Sequence, residues 1–418
     1  MEKNLKKSES PKKSKKKLES QSKTSPSLKS NSKSKKKIRS QSKNSIILSI
    51  YLGTYEGKLV VNNINIKSKD CISNFSFKAS QNAIRTIYHK INTLFVSGTD
   101  EVIHMFNVQK KLSEGDLMTY SGSVNDIKIH DNYLIVAGEN NTIPIWRMRD
   151  FNNIIELKGH KKAINSIDIH SSGGFLVSGG RDNCAIIFDL LTGRKIEKFE
   201  FDYICNKVEL FDKDKYLIVV FDLHIFILDL MKSGNNGNDN IIQKLNFNKK
   251  IINAYIIKNK LIIVFTDGEI NTYELNIKEE ENKQNKNDGK KEEKEEEKKE
   301  EKPKKEEKEK ENDSEEKIIN INSELKVILE KPEKKNENDL EIRVRYVSIS
   351  KIDKIKIMTI SFSNNEVYFY DLNRIVKFEV LESKKDNKSN NNIIKKYGKI
   401  EYNIPGKITA LDCELIYQ

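Results

Sequence analysis

Six short runs of alternating apolar residues recur along the chain: "VIHMFNV", "TIPIWRM", "AIIFDL", "IFILDL", "EINTYEL" and "EVYFYDL". Their near-terminal anchors are Phe106, Trp146, Phe188, Leu228, Tyr273 and Tyr370, spaced 40, 42, 40, 45 and 97 residues apart. Alternation with a period of two puts one face of each run on a packed surface, the signature of strands, and 3.6-residue periodicity is almost missing. Isoleucine, valine, phenylalanine and tyrosine in runs broken by glycine, asparagine and aspartate belong to the same all-β texture. A unit of 40 residues cannot cover both faces of its own small sheet, so successive units must stack.

The unit from Gly159 shows the order within one repeat. "AINSIDIH" reads as an innermost strand, "SSGG" as a turn, "FLVSGG" as a second strand, "RDN" as a tight turn, "CAIIFDL" as a third strand and "GRKIEKFEF" as the outer one. Four strands at this period make a propeller blade. The 97-residue interval equals one blade plus about 55 residues, close to the size of a charged segment, which the spacing places as a loop between blades. Two regions remain: "SIILSIYLGTYEGKLVVNNINI" with "CISNFSFKA" near the start, and "GKITALDCELI" at the end. Joined in one sheet they complete a ring with no open edges. The expected fold is an all-β, seven-bladed WD-repeat-type β-propeller over 46–418, whose blade 7 is closed by N- and C-terminal strands. A charged disordered insertion over 278–338 interrupts it.

Residues 1–45 carry sixteen lysines and arginines against three glutamates, an excess equal to the net charge of the whole chain, +13. The basic pI therefore describes a tail, and the rest of the chain is balanced. With hardly an apolar residue, the tail is expected to be disordered. Its clusters are "PKKSKKK", with Lys12, Lys13, Lys15, Lys16 and Lys17, and "KSKKKIR", with Lys33, Lys35, Lys36, Lys37 and Arg39. They read as a nuclear import signal, as a contact to RNA phosphates, or both, against a plain solvated tail. The insertion, centred on "KKEEKEEEKKEEKPKKEEKEKE", reads as disorder or as a solvated single helix broken by Pro303, and "KKDNKSNNN" is a further polar loop. Four scattered cysteines form no CxxC pair, so a reducing compartment is expected. The longest apolar run, from Leu217, is too short for a membrane span and holds Asp222 and His224; the chain reads as soluble and intracellular.

His160, Asp168, His170 and Asp182 crowd one segment, which raises the question of a metal site or catalytic dyad. His160, Ser178 and Asp182 fall where a WD repeat has the histidine of its GH dipeptide, its strand serine and its turn aspartate, and Phe188-Asp189 stands for the WD dipeptide. In such a network aspartate accepts from histidine, and histidine bonds serine and tryptophan; phenylalanine has no N–H, so three members are expected. Trp146, the one tryptophan, reads as a blade-packing aromatic of the same structural framework rather than a ligand contact. No third ligand supports a metal at Asp168 and His170, and His89, His104, His130 and His224 stand isolated. No phosphate loop, GxSxG or HExxH motif occurs, so neither an enzyme nor a cofactor is expected. Pro144 breaks a rule, because a third strand has neighbours on both sides; a bulge or a misplaced strand would reconcile it.

The stretch "DEVIHMFNVQKKLSEGDLMTYSG", Asp100 to Gly122, resembles the PAK-interacting, maintenance-of-killer class of WD-repeat proteins, and the likeness continues through "GHKKAINSIDIHSSGGFLVSGGRDN". It extends more weakly over "NKVELFDKDKYLIVVFDLHIFILDL" and "RVRYVSISKIDKIKIMTISFSNNEVYFYDL". The resemblance implies a non-catalytic scaffold in nucleolar assembly of the large (60S) ribosomal subunit. Its partners would be proteins of pre-60S particles, with weak contact to pre-rRNA through the tail and no membrane. It also implies a second reading, an adaptor that binds and restrains a PAK-type protein kinase. A third reading is an unrelated cytoplasmic WD scaffold. Members of that class carry their basic tail after the propeller, whereas here it stands in front.

Overall fold

A computed structural model describes residues 45–119, 122–232, 240–257, 259–276, 320–333, 341–373, 393–394, 396–400, 404 and 406–417. The tail, the insertion from 277 to 319 and the polar loop at 384–392 lie outside the described residues. Asn44–Gln418 forms one unit, and its described strands fall into seven sheets. In blade 1, which is the terminal-strand blade expected above as blade 7, β1 (Ile46–Thr54), β2 (Lys58–Asn65) and β3 (Cys71–Lys78) join the last strand, β29 (Ile408–Tyr417), in the order β29–β1–β2–β3. Blade 2 is β4 (Ile84–Lys90), β5 (Thr93–Gly98), β6 (Val102–Asn107) and β7 (Leu112–Met118). Blade 3 is β8 (Val124–His130), β9 (Tyr133–Gly138), β10 (Thr142–Arg147) and β11 (Asn152–Lys158). Blade 4 is β12 (Ile164–Ile169), β13 (Phe175–Gly180), β14 (Cys184–Asp189) and β15 (Lys195–Glu200). Blade 5 is β16 (Lys207–Phe211), β17 (Tyr216–Val220), β18 (His224–Asp229) and β19 (Ile241–Asn246).

Blade 6 comprises β20 (Ile251–Ile257), β21 (Lys260–Phe265), β22 (Glu269–Asn276) and β23 (Asn320–Leu329), with the two-residue β27 (Ile393–Ile394) parallel to β23. Blade 7 is β24 (Val344–Ile352), β25 (Ile355–Phe362), β26 (Val367–Asp371) and β28 (Gly398–Lys399). The innermost strands β29, β4, β8, β12, β16, β20 and β24 each touch the next, and β24 touches β29, so the ring is closed. The observed fold is a seven-bladed β-propeller. Among the described residues no helix is long and apolar enough to cross a membrane.

Blade 6 departs from the sequence expectation. The segment 278–338 contains the outer strand β23, paired with β22 from Glu269↔Ile328 to Asn276↔Asn320. The charged segment therefore enters within a blade, between its third and fourth strands, rather than between blades. The physical reason is the alternation of Leu325, Val327 and Leu329 at its end, which the neighbouring charge run obscures.

Seven apolar clusters hold the disc together, one at each joint between blades. Phe95, Ile103 and Leu117 of blade 2 pack on Val124, Ile127 and Trp146 of blade 3. Ile135 and Ile145 meet Ile164, Leu176 and Phe188 at the next joint, and the remaining joints follow suit. Burial lies between blades, which is why no blade is stable alone. A bulge directly before the anchor residue recurs between third and outer strands, at Met105/Phe106, Ile145/Trp146, Ile187/Phe188 and Ile227/Leu228. Pro144 thus lies beside a bulge that the other blades share. Its own mark is a shortened ladder to β9, which runs only from Ile145 to Arg147, while β14 pairs β13 from Ala185 to Asp189.

Candidate functional site

Two sets of polar residues stand out against this apolar frame. The first lies where the chain enters the innermost strands of blades 2, 4, 5 and 6. His160 donates or accepts through both ring nitrogens: Nδ1 lies 2.9 Å from Asp182 Oδ1, and Nε2 lies 2.7 Å from Ser178 Oγ. Asp182 also accepts from the Lys161 amide at 2.8 Å, and Ser178 Oγ donates to the Ile186 carbonyl at 3.3 Å. His160, Ser178 and Asp182 are brought together, three members as the missing Phe188 N–H implies. Burial lowers the His160 pKa, opposed by Asp182. Burial would push the Asp182 carboxyl up, but the Lys161 amide and His160 hold it below its ordinary value. Gly180 makes room, since a Cβ there would stand 2.7 Å from Asp182 Oδ1 and 2.8 Å from His160 Nδ1.

Trp146 is not part of this group. It is buried at the joint between blades 2 and 3, and its Nε1 has no partner among the described residues. The tail residues from Lys12 to Arg39 lie outside the described residues.

The same fastener recurs with different partners. Asp100, two residues beyond the end of β5, accepts from Ser80 Oγ at 2.5 Å, with Ser80 in the place of His160. Asp222, two beyond β17, accepts from Asn206 Nδ2 at 2.8 Å, and Asp267, two beyond β21, pairs with Lys249 at 2.6 Å. Sequence comparison to a GH dipeptide finds only the histidine version. The legible signal is the aspartate itself, in "GTDE", "GRDN", "VFDL" and "FTDGE".

The second set lines the channel. Four residues after the first paired residue of β4, β8, β12, β20, β24 and β29 stand Tyr88, Lys128, Asp168, Tyr255, Ser348 and Asp412. Together with nearby side chains they bridge all seven joints. Asp412 Oδ2 accepts from the His89 amide at 3.2 Å, Thr86 Oγ1 donates to the Asn125 carbonyl at 2.9 Å, and Asp126 accepts from the Ile167 amide at 3.0 Å. Asp168 accepts from the Leu210 amide at 2.8 Å, Lys207 donates to the Ala254 carbonyl at 2.7 Å, and Tyr255 donates to the Val347 carbonyl at 2.6 Å. Ser348 donates to Asp412 at 3.1 Å and completes the circle.

The channel's carboxylates are therefore engaged in holding neighbouring strands. Lys128, 3.5 Å from Asp168, is held charged: burial works against it, but Asp126 and Asp168 raise its pKa. Asp126 is itself raised by burial, with Lys128 opposing. Burial lifts Asp412 to about 6, and burial with the Asp412 charge lifts Glu414 to about 7. His89, 3.0 Å from Glu414 and stacked on Tyr51, is pushed down to about 4 by burial. His89 and His104 are thus far from isolated; His104 sits between Asp100 at 3.2 Å and Asp116 at 2.7 Å. A cavity of 510 Å³ opens on the channel beside Asp126, Lys128, Asp168, Glu209 and Asn253. Among the described residues no group of three or more histidine, cysteine or acidic side chains is placed to hold a metal.

Residues 151–189 match the WD domain, G-beta repeat, which covers the end of blade 3 and most of blade 4. The chain is 23% identical over 276 residues to Protein MAK11 of Saccharomyces cerevisiae, covering 56% of this chain and 65% of that protein. It is 27% identical over 200 residues to a p21-activated protein kinase-interacting protein 1-like of Danio rerio, covering 46% and 50%, and 23% identical over 228 residues to that of Xenopus laevis, covering 53% and 61%. The matches thus span half to just under two thirds of these relatives' length. Seven blades, a WD repeat in the fourth and these relatives agree with the likeness carried by Asp100 to Gly122: the chain is a WD-repeat β-propeller resembling the PAK-interacting, maintenance-of-killer class.

Proposed function

We propose that the chain is a non-catalytic scaffold in nucleolar assembly of the large ribosomal subunit. The observation that carries the reading is the bridged ring: with a hydrogen bond at every joint, the disc offers preformed surfaces, and binding them costs little ordering. The likeness to Protein MAK11 supports the ribosomal assignment, and the basic tail supports nuclear import and weak, salt-sensitive contact with pre-ribosomal RNA. Its partners are proteins of the pre-60S particle. A second reading, an adaptor restraining a PAK-type kinase, is favoured by the names of the fish and frog relatives.

Purification of the tagged full-length protein from its own cells separates the two. Recovery of large-subunit precursors is expected, together with nucleolar staining that becomes cytoplasmic when 1–45 is deleted. A co-purified kinase whose activity falls on adding the protein, with no precursor recovered, establishes the second reading instead.

A further inference from the structure

A groove of 670 Å³ lies between the β2–β3 turn of blade 1 and the short outer edge of blade 7. At its floor is Asn62, wholly buried, with neither its amide nitrogen nor its amide oxygen bonded to any described residue. Asn62 stands two residues before Ile64, the residue at the bulge of blade 1; the corresponding positions are Ile186 in blade 4 and Phe226 in blade 5, both buried and apolar. An amide where blades 4 and 5 place hydrocarbon, and unpartnered where His104 of blade 2 bonds Asp100 and Asp116, loses its hydration and gains nothing from packing, a cost that a bound polar group removes.

The rim is basic. Lys69, Lys396 and Lys399 line it, with Asp70 the one acidic side chain among the lining residues. The Lys69 ammonium lies 4.6 Å from the Tyr397 ring centroid, and Lys396 lies 4.3 Å from that of Tyr368 while pairing Glu330 at 3.3 Å. Lys69 holds a left-handed conformation, φ 65°, in the turn that aims it. The outer strand β28 is only two residues long, and Gly398 lets its backbone lie flat on Phe369, where a Cβ would stand 2.2 Å from the ring.

We propose that this groove binds an acidic peptide segment of a partner protein in extended conformation. Asn62 offers an N–H donor group and a C=O acceptor side by side, which a peptide group can match, and the lysines offer charge-assisted bonds to side-chain carboxylates. Beside the two-residue β28, the described residues leave an extended chain room to lie along the blade edge. Nucleic acid fits less well, because base stacking needs an open aromatic face and lysines cover a face of both Tyr397 and Tyr368. The site is independent of whether the partner belongs to a ribosomal precursor or is a kinase.

The test uses the full chain, so that the basic tail contributes equally to every variant. Fluorescence anisotropy measures binding of a labelled octaglutamate and a labelled octauridylate to wild type, Asn62→Leu and Lys399→Glu. Octaglutamate affinity is expected to fall about tenfold in each variant, the scale of one hydrogen bond to a charged or desolvated group. The Asn62→Leu protein should melt no lower than wild type, because leucine replaces an unpartnered amide. Equal octaglutamate binding by all three proteins overturns the proposal, as does a loss seen for octauridylate and not for octaglutamate. Lys399 is exposed, so its variant folds and keeps the test decisive even if Asn62→Leu does not.

Discussion

Blade 4 and blade 1 have the same four-stranded form and reach it by opposite routes. Blade 4 is one continuous stretch from Ile164 to Glu200, and its fastener, His160 with Ser178 and Asp182, is local in sequence. Blade 1 takes its innermost strand from the other end of the chain, with Ile46 opposite Tyr417 and Leu52 opposite Leu411. Its polar bridge, Asp412, reaches the His89 amide on one side and Ser348 on the other. A local fastener secures one blade, whereas the seam converts seven blades into one cooperative body. The two should therefore differ in how far damage spreads.

Deleting 408–418 is the harshest way to break the comparison. It removes β29 and opens two joints at once, so the expected outcome is loss of the single cooperative unfolding transition, read by circular dichroism against temperature. Cutting a fastener is milder. His160→Ala leaves Asp182 and Ser178 each short of a buried partner and should lower stability by about 1–3 kcal/mol in denaturant titration. Ser80→Ala removes the serine version in blade 2, whose hydroxyl donates to Asp100 and accepts from the amide of exposed Asn82, and should cost less, about 1 kcal/mol. Equal losses would mean that the buried bond from His160 to Ser178 carries no weight.

The most local effect is a pH dependence confined to the seam. The folded pKa of Glu414 is raised from 4.5 to about 7, so the folded state binds the extra proton, and that stability is present below 4.5 and lost as pH rises through about 7. Asp412 acts in the same sense, from 3.8 to about 6. His89, depressed from 6.5 to about 4, acts oppositely: its contribution is present above 6.5 and lost as pH falls through about 4. Glu414→Gln removes one titration only. The melting temperature of the variant relative to wild type should therefore climb between pH 4.5 and 7, and a flat difference would show that Glu414 is not protonated in the fold.

Legibility followed locality. The His160 fastener could be read because its three members lie within 23 residues and keep the GH spacing. Ser80 and Asp100, Asn206 and Asp222, and Lys249 and Asp267 do the same work with other chemistry, and only the recurring turn aspartate hints at them. The channel ring was hidden for a different reason. A polar residue within an apolar strand, as in "SIDIH" or "ALDCE", reads as an outward face until the strand is known to be innermost. The outer strand β23 was hidden by the lysines and glutamates that precede it.

Period and alternation, which are properties of the chain alone, determined the number of blades, their strand order and the pairing of the two ends, because a 40-residue sheet has no other way to bury both faces. Which side chains bridge one blade to the next, and where an amide such as Asn62 is left unpartnered beneath a basic rim, was decided only by tertiary structure. Those relations join residues about 40 to more than 300 positions apart, and their energies depend on burial and direction, which spacing along a chain does not carry.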